Sequence, residues 1–337
     1  MSSLIIQTSF LGDTVLTTPL IAALAARGPV DVLATPAGAT ILRGNPAIRA
    51  LLVYDKRGAD AGISGLRRVA RRLRDGRYDA VYLAQGSLRS AVLARTAGIP
   101  RRVGFDTSAG RAFYTERVTF NRTAHHAERL WRLAAGNNAA SPAPEVLRPR
   151  LYPGAEERAA VDALLGDFAG GAPLVALAPG SIWGTKRWPH FDALAAGLEE
   201  ARFVVIGSAD DNGLAASIAR AAPGRVLDAS GRLSLLSSAA LIARCTALVA
   251  NDSAPTHLAS GVGTPTITLF GPTVPAFGFG PLAPRSESLG VEPLACRPCH
   301  PHGPKVCPLG HFQCMRSLEP SRVIARLRIL LVPPTAS

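Results

Sequence analysis

The chain has 337 residues, 47% hydrophobic and 18% charged, a globular balance that leaves room for two cores and excludes a disordered or fibrous protein. No apolar stretch reaches the length of a membrane span, and Met1-Ser2-Ser3 leads straight into a strand pattern without a signal-type segment, so the expectation is a cytoplasmic protein. The net charge is +13, of which residues 1–150 carry +12; a preference for Arg over Lys explains the residue type but not this placement. The first half therefore calls for an anionic partner: a phosphorylated substrate, an anionic membrane surface or nucleic acid.

Apolar runs at 4–9, 30–35, 50–55 and 79–85 read as strands, with helical patterns at 13–27, 37–43, 64–76 and 87–97 between and after them. The first strand ends in Ser9-Phe10-Leu11-Gly12-Asp13-Thr14, followed by Thr17-Thr18-Pro19. Gly12 permits a tight turn and close approach of a ligand. Asp13 is then the first charged side chain at the carboxyl edge of a sheet, where open α/β sheets bind their ligands. It is either a general base or a helix N-cap. Gln85, Ser87 and Arg89 follow the fourth strand run and are, with Gly12, candidate ligand contacts by position. The densest basic stretch is Arg67-Arg68, Arg71-Arg72 and Arg74, read either as an anion-binding face or as a solvated helix face.

Segment 136–155, rich in Pro, Ala and Asn, is the best linker, and divides the chain into domains 1–150 and 151–337. A second series follows, with strand runs at 173–178, 202–207, 247–250 and 265–270 and helical patterns at 189–200, 212–222 and 234–245. The alternation predicts an α/β fold of two Rossmann-like domains with parallel sheets, facing each other across a cleft. Neither series contains a GxGxxG fingerprint or a P-loop.

Two motifs in the second series carry chemistry. Ala178-Pro179-Gly180-Ser181, then Gly184-Thr185-Lys186-Arg187-Trp188-Pro189, ends a strand in a loop whose hydroxyls, ammonium and backbone N–H groups suit a diphosphate. The alternative is an exposed basic loop, but Lys186 is one of very few lysines in an Arg-using chain. Asn251-Asp252-Ser253-Ala254-Pro255-Thr256-His257 runs on to Thr273, so two adjacent strand ends present Asp252, Ser253, His257 and Thr273 to one place. Cys245 reads as a buried small hydrophobe. Cys296, Cys299, Cys307 and Cys314, interspersed with histidines over 296–314, point in a reducing compartment to a structural metal such as zinc or iron rather than to disulfides.

Taken together, SFLGDTVLTTP, APGSIWGTKRWP and NDSAPTHLASGVGTPTITLFGPT resemble the ADP-heptose:lipopolysaccharide heptosyltransferases, glycosyltransferase family nine, and most of all the heptosyltransferase II branch. The motifs span the whole chain in the family's order. The resemblance implies a GT-B fold with an N-terminal acceptor-binding and a C-terminal donor-binding domain. It implies an inverting transfer of heptose from ADP-heptose to a phosphorylated Kdo-lipid A inner core, with no cofactor required for catalysis, at the cytoplasmic face of the inner membrane. It makes Asp13 the base on the acceptor hydroxyl. Ser181, Thr185 and Lys186 would bind the donor diphosphate, and Asp252, Ser253, His257 and Thr273 would line the donor site. Family members often carry Gly where this chain has Ala254. The competing readings are another GT-B sugar-nucleotide enzyme, such as an epimerase, and a basic nucleic-acid-binding protein. Against the last, aromatics are only 6% of the chain and do not interleave with the basic stretch, so no nucleic-acid partner is expected.

Overall fold

The computed structural model describes residues 1–332. The chain forms two compact units that divide between Tyr152 and Pro153. The first contains strands β1 (Ser3–Gln7), β2 (Val30–Ala34), β3 (Ala50–Val53), β4 (Ala80–Leu83), β5 (Arg101–Phe105) and β6 (Glu116–Val118). They form one parallel sheet in the order β3-β2-β1-β4-β5-β6. The second contains β7 (Leu174–Ala178), β8 (Arg202–Val205), β9 (Val226–Asp228), β10 (Ala247–Asn251), β11 (Thr266–Phe270) and β12 (Ser286–Gly290). Its parallel order is β12-β11-β10-β7-β8-β9. Each sheet is thus wound outward in both directions from a central pair, β1/β4 in one and β7/β10 in the other. Such a reversal opens a crevice at the carboxyl ends of the central strands.

The central strands are continuous apolar runs because helices cover both sheet faces. β1, β2, β4, β7, β10 and β11 are buried along their whole length. Leu4, Ile6, Leu33, Val81 and Leu83 build one core, and Val175, Leu177, Phe203, Val249 and Ile267 the other. Helix Pro320–Leu331 closes the second core with Val323, Leu327 and Leu330.

The helical pattern expected over 13–27 is two helices, Leu11–Leu16 and Thr18–Ala25. Pro19 has no N–H to offer the carbonyl of Val15, and the Thr18 hydroxyl donates to it instead at 2.9 Å. The Thr17 hydroxyl donates to the Asp13 carbonyl at 2.7 Å, which secures the joint. Gly12, expected in a tight turn, lies in the first turn of helix Leu11–Leu16. Among the described residues, no helix is long and apolar enough to cross a membrane.

Candidate active site

In the first unit, the reversal point is built on Gln7, the last residue of β1. Its buried amide donates to the Thr17 hydroxyl at 3.0 Å and to the Ala84 carbonyl, just past β4, at 3.4 Å. It also accepts from the Ser9 backbone N–H at 3.2 Å. The Ser9 hydroxyl sits 2.7 Å from Gln7 Oε1 and 2.7 Å from Asp13 Oδ2, so its one proton is shared between amide and carboxylate. Asp13 is three residues into its helix, and the N-cap is Phe10. The cap reading of Asp13 therefore fails on position. The carboxylate is one-fifth exposed, and its other oxygen lies 3.7 Å from Nε2 of His126, the first residue of helix His126–Ala135. Burial, reinforced by the Arg129 guanidinium and His125, depresses the His126 pKa to about 3. That shift favours the neutral imidazole beside Asp13.

Lys56 completes this edge from the loop after β3, donating to the Thr8 carbonyl at 2.6 Å. Burial and the neighbouring Arg57 and Arg89 lower its pKa. Of the residues expected to touch an acceptor, Gln85 donates to the hydroxyls of Thr8 and, at 2.8 Å, Ser90. Arg89 donates to the Tyr54 hydroxyl at 2.6 Å and to the carbonyls of Asp60 and Gly62 at 3.2 Å. Both side chains brace the loops around this edge. Ser87 occupies the N-cap of helix Leu88–Thr96 without a side-chain cap bond.

In the second unit, Asn251 does what Gln7 does in the first. Fully buried at the end of β10, it donates to the Pro179 carbonyl past β7 at 2.8 Å and accepts from the Trp188 N–H at 3.0 Å. The loop carrying Ser181 and Lys186 is thereby tied to the reversal point. Lys186 Nζ lies 2.6 Å from Asp252 Oδ2 and 3.2 Å from the Asp252 carbonyl. The Thr273 hydroxyl, from beyond β11, donates to the same carboxylate oxygen at 2.7 Å. Three motif residues from three strand ends thus form one buried cluster. Asp252 positions Lys186 and Thr273 within it.

Ser253 is the N-cap residue of helix Ala254–Val262, with its hydroxyl 3.2 Å from the Asn251 carbonyl. His257 is buried in that helix, its ring centre 6.4 Å from that of Phe279. Ala254 takes the first helical position, a conformation that suits alanine. The Ser181 hydroxyl accepts from the Trp183 N–H at 3.2 Å, a local turn at the mouth of the loop. The Thr185 hydroxyl donates to the Pro304 carbonyl and braces the cysteine-rich segment.

That segment packs on the loops that carry Thr185 and Thr273. Arg297 is almost fully buried and donates to the carbonyls of Gly271 (2.7 Å), Val291 (2.9 Å) and Thr273 (3.1 Å). Cys296, Cys299, Cys307 and Cys314 are free thiols close enough to perturb one another, for burial and the other three raise Cys314 to about 11. Among the described residues, no group of three or more His, Cys, Asp or Glu side chains is arranged to hold a metal ion, so these residues as placed do not fit one. Cys245 is buried, its thiol donating to the Leu241 carbonyl at 3.2 Å.

Sequence reasoning passed over Lys56, His126, Asn251 and Arg297. Lys56 carried a usable signal, being one of three lysines, the same rarity that drew notice to Lys186. Asn251 stood next to Asp252 in the motif. His126 and Arg297 gave no local sign.

Two doubly wound parallel units, each with a polar cluster where its strand order reverses, define an α/β protein of the GT-B type. The solved Escherichia coli ADP-heptose LPS heptosyltransferase II has this architecture: it is 26% identical to the chain, with a TM-score of 0.81 and 98% of both chains covered. The family model for glycosyltransferase family 9 (heptosyltransferase) matches residues 66–309, and the chain belongs to that family. It is a glycosyltransferase. It is 28% identical to lipopolysaccharide heptosyltransferase 2 of Salmonella typhimurium over 98% of this chain and 99% of that one. It is also 30% identical to lipopolysaccharide heptosyltransferase 1 of Pseudomonas aeruginosa, with 99% of both covered.

Proposed function

We propose that the chain is a heptosyltransferase II-type enzyme that moves heptose from ADP-heptose to the phosphorylated Kdo-lipid A inner core of lipopolysaccharide, with inversion at the transferred carbon. The Lys186–Asp252–Thr273 cluster supports this reading, because an ammonium held fixed by its neighbours suits the charge that gathers on a leaving diphosphate. The acceptor hydroxyl oxygen attacks the anomeric carbon as the bond from that carbon to the diphosphate oxygen breaks. ADP leaves with the bonding electron pair. Asp13 Oδ takes the hydroxyl proton, and the Ser9 hydroxyl orients that carboxylate. Lys186 and the backbone N–H groups opening helix Ala254–Val262 stabilise ADP as it departs. Metal analysis of protein purified without added zinc or iron should find no ion at the four cysteines, whose placement does not fit one.

The acceptor sits on an anionic lipid, and the enzyme meets it at the cytoplasmic face of the inner membrane. Helix Gly62–Asp75 supports this: it buries Val69, Ala70 and Leu73 and leaves Arg67 and Arg71 exposed one turn apart.

The deciding experiment is incubation with ADP-heptose and a mono-heptosylated Kdo-lipid A. Stoichiometric ADP and an acceptor heavier by one heptose are expected. ADP release without acceptor glycosylation would overturn the reading.

A further inference from the structure

We propose that the first unit carries a second binding site, for a small organic anion with an aromatic or alicyclic body, walled by helix Thr18–Ala25, helix His126–Ala135 and segment 145–152. These elements line a cavity of about 390 Å³, within the size range of small-molecule pockets. Trp131 and Tyr152 offer it aromatic surface, and Pro19 and Ala23 apolar surface. Arg148 and Arg150 also line it. Neither Asp13 nor any other residue of the edge described above does so.

Two observations point to an anion. No hydrogen bond or ion pair joins the Arg148 guanidinium to another described residue, and its Nε is buried. Second, although Glu145 lines the same cavity, no ion pair joins it to Arg148 or Arg150 among the described residues. The segment is nonetheless fixed in place, because the Arg150 backbone N–H donates to the Thr18 hydroxyl at 3.0 Å. A carboxylate or phosphate matches the paired Nη groups of Arg148, and a ring bound to it fits against Trp131 and Tyr152.

Calorimetric titration of the full-length protein with 1-naphthoate, 1-naphthyl phosphate and the uncharged 1-naphthalenemethanol tests the site. Both anions should bind one per chain and at least tenfold more tightly than the alcohol, and the tighter of them identifies the head group. Arg148→Gln should bring the anions down to the level of the alcohol, and Ala23→Leu, which fills the cavity with a good helix former, should remove all three. Arg148→Lys, which keeps the charge and loses the paired Nη groups, should fall between parent and Arg148→Gln, and it replaces the latter if that variant does not fold. Absence of saturable anion binding, equal affinity for anion and alcohol, or binding unchanged in these variants would overturn the proposal.

Discussion

At Asp13 the charge meets the positive end of a short helix, but the cap position belongs to Phe10. Asp13→Asn and Asp13→Ala should therefore cost similar stability, about 0.3–1 kcal/mol of charge–dipole interaction each. Both should lose transfer by 100-fold or more, the scale of a missing general base. Urea unfolding beside product formation checks this, and an Ala variant far less stable than the Asn one would restore the cap. His126 gives the pH dependence. Its folded pKa, about 3, is depressed below the ordinary 6.5, so the unfolded chain binds the extra proton between them. The stabilisation is complete above the unfolded value and is lost as pH falls toward the folded one. Between pH 7 and pH 5 that amounts to about 2 kcal/mol. Unfolding free energies across this window should show the loss, and His126→Gln should flatten it. Lys186→Met leaves the nine-tenths buried Asp252 without its cation, a loss of up to about 3 kcal/mol. Adding Asp252→Asn should recover stability, measured by thermal unfolding, without recovering transfer.

Among the elements, the segment that begins at Cys296 stands out. Its anchor is Arg297, whose guanidinium binds the carbonyls around Gly271 and Thr273 and so holds the strap against the end of β11. Arg297→Met leaves several of these carbonyls unpaired. The expected result is a loss of about 2–4 kcal/mol in stability and a rise in KM for the donor larger than the fall in kcat, read from initial rates. The elements themselves were legible in proportion to their burial. The central strands were found because parallel strands covered on both faces are apolar throughout. β6, β9 and β12 were missed because ERV, VLD and SESLG are short or polar, as edge strands can be, and β5 because RRVGF opens on two arginines. The single helix read over 13–27 failed at Pro19, where a local backbone rule overrides an uninterrupted apolar pattern.

For the whole molecule, charge and topology divide the work. Helix Gly62–Asp75 carries the densest part of the positive charge of residues 1–150, and in it Arg68 is paired with Asp60 at 2.7 Å while Arg67 and Arg71 remain exposed. Binding to phosphatidylglycerol vesicles should weaken roughly fivefold for each of Arg67→Gln and Arg71→Gln, at about 1 kcal/mol per charge. It should also weaken with added salt. Sedimentation with the vesicles at two ionic strengths measures both effects. The sequence by itself determined the two α/β series, the break near residue 150, and the three motifs that place Asp13, Lys186 and Asp252 at strand ends. Those are local properties, set by apolar periodicity and by which residues follow each strand. Only the tertiary structure decided what these residues touch. Lys186 and Asp252 meet although 66 positions separate them, Gln7 and Asn251 join the central strands of their sheets, and the Thr185 hydroxyl donates to the Pro304 carbonyl. Strand order brings such groups together, and strand order is a property of how the whole chain packs.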